Sequence, residues 1–122
     1  MDLYREEILE HWRSPQNFGE MKKADRVINQ INPLCGDQLT FYFKFRKANG
    51  ERQVADVAFT GNGCAISIAS ASILSEFIKG KKIKNLDKIE SKEVFELIGG
   101  PVAPARLKCA LLGLEAIKKL KI

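Results

Sequence analysis

Three cysteines and one aspartate are the residues of this sequence whose types and spacing could do chemistry. The stretch INPLCGDQ places Cys35 and Asp37 on either side of a single glycine. Either Cys35 is a small apolar filler beside a turn aspartate, or the thiol and the carboxylate bind the same ion. Cys64 follows the glycine-rich string TGNG, and Cys109 lies near the C-terminal end. The residues alone leave fillers, metal ligands and nucleophiles open for all three thiols.

All three cysteines fall in loops or near the starts of predicted elements. Their number is odd, so they cannot all pair within the chain, and no CxxC spacing is present. Unpaired backbone N–H groups at a helix N-terminus favour a thiolate, the form that binds metals and attacks sulfur. His11 is the only histidine and lies far from the thiols in sequence. We expect a structural or exposed role for it.

The composition indicates a globular protein of one domain, residues 1–122. Hydrophobic residues make up 45% and charged residues 29% of the chain, and no apolar run reaches the ~18 residues that a membrane span needs. The acidic, amphipathic N-terminus differs from a signal peptide, so we expect a cytoplasmic protein with reduced thiols and no membrane partner. The net charge is +5, with many lysines in Lys79–Lys88. We interpret them as a solvated loop and helix end rather than a patch for an acidic partner, and expect no nucleic-acid partner because no aromatic residues interleave with them.

A helix and a sheet come first among the elements that must position these residues. Apolar residues at helical spacing predict a helix over 3–13, and residues 25–32 are predicted as a short strand before a proline. Residues 38–47 alternate, with one leucine and three phenylalanines on one face, which predicts a half-buried strand. Asn49-Gly50 is a strong hairpin signal, and residues 54–60 are predicted as the antiparallel partner.

Helices follow the sheet. Residues 65–78 are rich in alanine and serine and contain neither glycine nor proline, which predicts a buried helix that ends at Gly80. A short helix is predicted over 91–97 with Ser91 as its N-cap, and a last helix over 104–120 with a proline in its first turn. The order predicts an α+β fold, in which helices pack mainly on one face of a small three-stranded antiparallel sheet.

Three separated strings resemble one known family. NPLCGDQ, FTGNGCAISIASASILSE and ARLKCALLGLEAI are similar to the U-type iron–sulfur cluster assembly proteins, which are IscU, SufU and the N-terminal domain of NifU. The N-terminal string YREEILEHWRSPQNFGEM also fits, with Ser14 where the family usually has asparagine. The resemblance covers nearly the whole chain and implies a SufE/NifU-like fold.

The resemblance implies that Cys35, Asp37, Cys64 and Cys109 hold a transient [2Fe–2S] cluster or Zn²⁺. It also implies that sulfur arrives as a persulfide from a cysteine desulfurase and that the cluster passes to apo iron–sulfur proteins. An electron donor such as a ferredoxin is a further implied partner. A carboxylate is a harder and weaker cluster ligand than a fourth thiolate, so Asp37 would keep the cluster labile.

Two functions follow from the resemblance. The first is an assembly scaffold with Cys109 as the persulfide acceptor, and the alternative is a SufU-like zinc-dependent sulfurtransferase with Cys35 as the acceptor. Whether the chain is an enzyme therefore stays open. A third interpretation, from a different class, is a small module with a purely structural zinc ion.

The chain departs from the family pattern at two places. Many IscU proteins carry histidine before the third cysteine, where this chain has Lys108, as in the SufU branch. The chain nevertheless lacks the SufU insertion between the second and third cysteines. We expect Lys108 to stabilise the Cys109 thiolate. The chaperone-recognition string of IscU is replaced by Val102–Arg106, so a dedicated Hsp70-type chaperone is not expected.

Overall fold

One antiparallel sheet and five α-helices make up the described parts of the chain, which the computed structural model gives as residues 3–33, 36–100 and 102–120. An N-terminal helix comes first, the strands follow and the other helices come last, which confirms the predicted α+β fold. The elements are α1 (Leu3–Arg13), β1 (Arg26–Asn32), β2 (Asp37–Ala48), β3 (Glu51–Asn62), α2 (Ala65–Ile78), α3 (Ile83–Leu86), α4 (Ser91–Leu97), a 3-10 turn (Pro104–Arg106) and α5 (Leu107–Lys118).

The sheet has the strand order β1-β2-β3 with antiparallel neighbours. The β2–β3 hairpin turns at Asn49 and Gly50, whose φ angles of 54° and 78° fit the two-residue turn predicted from the Asn-Gly pair. In the β1–β2 register Asp37 lies opposite Asn32, and the end of β3 lies on the other side of β2. The start of β2 therefore meets the ends of both other strands at one end of the sheet.

The apolar face of β2 lies in the main core. Leu39, Phe41 and Phe43 are fully buried, and Phe45 is partly buried against the same cluster, as the alternating pattern predicts. The helices α2 and α5 cover this face. A Cβ atom at Gly113 of α5 would lie 3.3 Å from a leucine methyl group of α2, so glycine lets the two helices lie close together. The two helices whose N-terminal ends carry cysteines are thus fixed to the sheet by apolar packing.

Four buried serines distinguish α2 from an ordinary apolar helix. Ser70 Oγ donates to the Ala110 carbonyl oxygen of α5 at 2.6 Å. Ser72 Oγ accepts from the Gln16 backbone N–H at 2.7 Å, and His11 Nδ1 lies 2.7 Å from the same oxygen. These bonds connect α2 to α5 and to the segment that follows α1. His11 has a structural contact there, in line with the expectation from sequence.

Two details of the helical region differ from the sequence predictions. The short helix α3 lies inside Lys79–Lys88, which was interpreted as a loop and helix end. It forms because Ile83 and Leu86 insert into the core while the lysines stay at the surface. Ser91 as an N-cap is wrong: Glu90 is the N-cap, and Ser91 is the first residue of α4.

The helix predicted over 104–120 is a 3-10 turn over Pro104–Arg106 followed by the shorter α-helix Leu107–Lys118, and the other helix predictions agree with the structure. α2 ends at Ile78, and Gly80 follows with a φ of 82°, which suits glycine. In the ranges that the structure covers, no helix has the length and apolar character of a membrane span. That residues 1–122 form a single domain stays a prediction.

Candidate metal centre

Three of the four residues singled out in the sequence converge at one end of the sheet. Asp37 begins β2, Cys64 is the N-cap of α2, and Cys109 lies in the first turn of α5. One carboxylate oxygen and the two Sγ atoms all lie within 4.8 Å of one another. Cys35, the fourth predicted residue, lies outside the described residues. The convergence depends on strand register and helix packing, since the three residues are far apart in the chain.

The Asp37 carboxylate is held by α2. Its side chain is only 6% exposed, and its Oδ2 accepts a 2.5 Å hydrogen bond from Ser67 Oγ, which is fully buried. This short distance is typical of a hydrogen bond to an ionised carboxylate. A Cβ atom at Gly63 would lie 3.1 Å from the Asp37 Cγ atom, so the glycine before Cys64 lets the loop close on the carboxylate. A Cβ atom at Gly61 would lie 2.3 Å from the Gln38 carbonyl oxygen, which excludes any side chain there.

Cys64 lies at the positive end of the α2 dipole. As the N-cap it has an extended conformation, with φ −71° and ψ 168°, and its carbonyl oxygen accepts from the Ile68 N–H at 3.2 Å. Its Sγ lies 3.6 Å from Ser67 Oγ. The unpaired N–H groups of the first helical turn form an environment that stabilises a negatively charged ligand. Cys64 is less buried than Cys109 and is partly exposed as a residue.

Cys109 is the most buried member of the centre, at 3% exposure. Burial, followed by hydrogen bonding to Asp37 and Cys64, raises the pKa of its thiol to about 12. We expected a position near a helix start to favour the thiolate. For Cys109 without a bound cation this expectation is wrong, because the pKa of its thiol is raised. Asp37 and Cys64, the two other acidic groups within 4.8 Å, oppose a negative charge on Cys109 unless a cation compensates it. The donor set, with two sulfurs and one carboxylate oxygen, fits a soft or borderline metal ion such as iron or zinc.

Arg106 is the basic residue beside the thiols that sequence analysis missed. A hydrogen bond to Cys109 and the charge of Cys64 raise the pKa of the Arg106 guanidinium above its ordinary value. The sequence signal for Arg106 was its position three residues before Cys109, because residues three apart share one face of a helical turn. Lys108, the residue that sequence analysis chose for this role, is exposed at the start of α5. Its proposed role toward the Cys109 thiolate stays a prediction.

Comparisons with known proteins agree with this geometry. The family model described as NifU-like N terminal domain matches residues 3–120. The iron–sulfur cluster assembly scaffold protein IscU of Aquifex aeolicus (strain VF5) is 37% identical over 114 residues, which cover 93% of this chain and 71% of the relative. The zinc-dependent sulfurtransferase SufU of Bacillus subtilis (strain 168) is 34% identical over 134 residues, with coverage of 96% and 88%. A crystal structure of a putative iron–sulfur cluster assembly scaffold protein for the SUF system from Fervidobacterium islandicum AW-1 is similar, with a TM-score of 0.74, 28% identity and 93% coverage of both chains.

Proposed function

Because this chain belongs to the NifU-like N-terminal domain family, we propose that it is an assembly scaffold for iron–sulfur clusters. In this function it receives sulfur from a cysteine desulfurase, builds a labile [2Fe–2S] cluster as cargo and transfers it to apo-proteins. The observation that carries the proposal is the convergence of Asp37, Cys64 and Cys109 within 4.8 Å. The similarity to relatives named IscU and SufU supports it.

The proposed ligand set consists of Cys35, Asp37, Cys64 and Cys109. Thiolates bind iron–sulfide clusters tightly, whereas a carboxylate is a harder and weaker ligand. One weak ligand among four keeps the cluster exchangeable, which a scaffold needs and a permanent electron carrier does not. The Ser67 hydrogen bond orients the Asp37 carboxylate and withdraws part of its charge.

Loading of the centre is coupled to proton release. The Cys109 thiol keeps its proton at neutral pH because its pKa is raised to about 12. A metal ion that binds the sulfur must displace this proton, so the affinity of the centre for metal rises with pH. Arg106 lies beside the sulfur and compensates part of the negative charge that remains.

Sulfur uptake is ordinary thiol exchange. The acceptor attacks as a thiolate, so Cys109 must first give up the proton that its raised pKa retains. The thiolate attacks the outer sulfur of the desulfurase persulfide, a new S–S bond forms, and the old S–S bond breaks to release the desulfurase cysteine as a thiolate that can take up a proton. We propose Cys109 as the acceptor in the scaffold, although its 3% exposure means that the segment before α5 must move first. An electron donor such as a ferredoxin then reduces the bound sulfur to sulfide. Cys64 and Cys109 are not joined by a disulfide, which suits a reducing compartment such as the cytoplasm.

The second candidate function is a zinc-dependent sulfurtransferase, in which Cys35 is the acceptor. The similarity to SufU of Bacillus subtilis and the position of Lys108 directly before Cys109 favour it. Three thiolates and the Asp37 carboxylate would complete a tetrahedral zinc site. A purely structural zinc ion is disfavoured because the apolar core between the sheet, α2 and α5 is extensive without it.

The test is an anaerobic reconstitution. The full chain is mixed with iron, cysteine, a thiol reductant and a catalytic amount of desulfurase, and the visible spectrum is followed over time. Cys35→Ser, Cys64→Ser and Cys109→Ser are compared with wild type, and Lys92→Gln serves as a surface control because Lys92 is 76% exposed.

Each outcome has a defined meaning. Sulfide-to-iron charge-transfer bands in wild type and control, absent from the cysteine variants, support the scaffold. No chromophore, together with tightly bound zinc and a faster desulfurase, supports the sulfurtransferase. A protein that binds neither iron nor zinc and leaves the desulfurase rate unchanged overturns both proposals.

A further inference from the structure

A second concave site lies at the opposite end of the sheet from the metal centre. It encloses about 510 Å³ and is lined by six residues, here called the hairpin-end pocket: Asp25, Arg26, Phe45, Arg46, Lys47 and Arg52. Lys47 and Asp37 lie near opposite ends of β2, roughly 30 Å apart at about 3.3 Å per strand residue. The pocket therefore shares no residue with the metal centre and has no part in the proposed cluster chemistry.

Positive charge in the hairpin-end pocket is concentrated and poorly compensated. Lys47 and Arg52 are direct partners in the β2–β3 register, an arrangement of like charges that destabilises a sheet. Among the described residues, no carboxylate lies within 4.0 Å of either side chain or of Arg26. The pocket's own acid, Asp25, accepts from the Phe45 backbone N–H at 2.8 Å and lies 3.7 Å from a lysine outside the pocket.

Two lysines close to the hairpin, Lys82 and Lys84 of the α3 region, have an acidic partner, in contrast to the cations of the pocket. Glu51 lies next to Arg52 in sequence, yet its carboxylate pairs with Lys82 at 2.6 Å and with Lys84. Glu51 therefore forms its ion pairs with Lys82, the N-cap of α3, and with Lys84 inside α3.

Arg26, Lys47 and Arg52 project from the same face of the sheet, because Arg26 is the register partner of Phe43 and side chains alternate along β2 from Phe43 to Lys47. None of the three has an acidic partner among the described residues.

The shape and chemistry of the pocket suit a small ligand. Its volume lies within the roughly 300–1,000 Å³ of ligand sites. Arg46 borders the pocket from the opposite face of β2, where its Nε donates to Gln53 Oε1 at 3.3 Å. The guanidinium groups of Arg26 and Arg52 can bind two phosphate oxygens at once, which a spherical chloride ion does not allow. Phe45 adds an aromatic wall, since its ring stacks on Phe43 at 6.3 Å and is only partly buried.

From these observations we propose that the hairpin-end pocket binds a small anion with at least two linked phosphate groups. One phosphate bridges the opposed Lys47 and Arg52, and the other pairs with Arg26 on the same face of the sheet. Either inorganic pyrophosphate or the phosphate chain of a nucleotide supplies this chemistry. Binding removes the repulsion between the opposed cations, so the ligand also stabilises the hairpin.

The test uses the full chain at low ionic strength, with isothermal titration calorimetry and thermal melting. Sodium pyrophosphate is the first probe, and adenosine triphosphate without magnesium is the second. The pocket variant is Lys47→Gln with Arg52→Gln. The control is Lys22→Gln with Lys92→Gln, which removes the same charge from exposed positions outside the pocket. Arg46→Gln is a second control, because it removes a cation on the opposite face of β2.

We expect wild type and both controls to bind pyrophosphate alike, and the pocket variant to bind it at least tenfold more weakly. Without ligand, the pocket variant melts at the same or a higher temperature than wild type, because the like-charge pair is gone. If pyrophosphate and adenosine triphosphate bind with equal affinity, the pocket recognises the phosphate groups alone. If adenosine triphosphate binds more tightly than pyrophosphate and Phe45→Leu removes this difference, the base also stacks on the Phe45 ring. Equal pyrophosphate affinity in pocket variant and control, or a melting shift that sodium chloride reproduces at matched ionic strength, overturns the proposal.

Discussion

The hydrogen bond between Ser67 and Asp37 gives the sharpest test of the proposed centre. Ser67→Ala removes a donor 2.5 Å from a carboxylate that is 6% exposed, together with a weaker 3.6 Å contact to Cys64 Sγ, and leaves the other side chains of α2 unchanged. A hydrogen bond to a charged group contributes about 1.5–3 kcal/mol. At about 1.4 kcal/mol per tenfold in affinity, this loss corresponds to roughly 10- to 100-fold weaker zinc binding, if the carboxylate is a metal ligand.

Ser70→Ala is the matched control. Ser70 is on the same helix and as fully buried as Ser67, but its hydroxyl donates to the Ala110 carbonyl oxygen at 2.6 Å. Its removal costs about 0.5–1.5 kcal/mol of folding stability, as for an ordinary neutral hydrogen bond, and has no direct effect on the centre.

The assay is competition for zinc against a chromophoric chelator at pH 7.5, with urea unfolding of the metal-free proteins alongside. The expected result is a large loss of zinc affinity in Ser67→Ala and wild-type affinity in Ser70→Ala. If both variants bind zinc equally, Asp37 is not a ligand supported by Ser67, and the assignment of the carboxylate to the centre fails.

Three further predictions concern other charged residues. Asp37→Ala should retain an assembled cluster and release it more slowly to an apo-ferredoxin, because the weak ligand is gone; transfer at the wild-type rate contradicts this. Arg106→Gln should slow sulfur uptake from the desulfurase severalfold and Arg106→Lys should restore part of it, while the unfolding midpoint stays unchanged; a shifted midpoint with an unaltered rate would make Arg106 structural. Hydrogen bonds from Lys82 and Lys84 lower the pKa of Glu51 from 4.5 to about 2, so its contribution to stability is complete above pH 4.5 and is lost as pH falls toward 2. Urea unfolding at pH 7, 4 and 3 should show a smaller loss in Glu51→Gln than in wild type, and parallel pH dependence in the two proteins argues against the ion pairs.

Local signals were sufficient for most of the fold. The alternation over 38–47 and the Asn49-Gly50 turn determine the hairpin, because side-chain direction and turn geometry depend on residues next to one another. The helix α3 was missed because its two apolar anchors, Ile83 and Leu86, are surrounded by lysines. Its stability comes from tertiary burial rather than from a long helical pattern.

The centre was predictable only in part, for a different reason. Spacing could not bring Asp37, Cys64 and Cys109 together, since their proximity depends on the sheet register and on the packing of α2 against α5. The resemblance to a family supplied that set instead. Arg106 and Ser67 carried only weak signals, because each is one helical turn from a cysteine and of an ordinary type.

The location of the centre has a consequence for repeated use of the protein. Its described members lie where β2, α2 and α5 begin, while the apolar interior is formed by the later parts of the same elements. Opening of this one end costs less free energy than global unfolding, because local openings that expose little apolar surface are inexpensive. Cargo can therefore enter and leave through many cycles while the interior stays packed, because the apolar core maintains the fold in the empty protein as well.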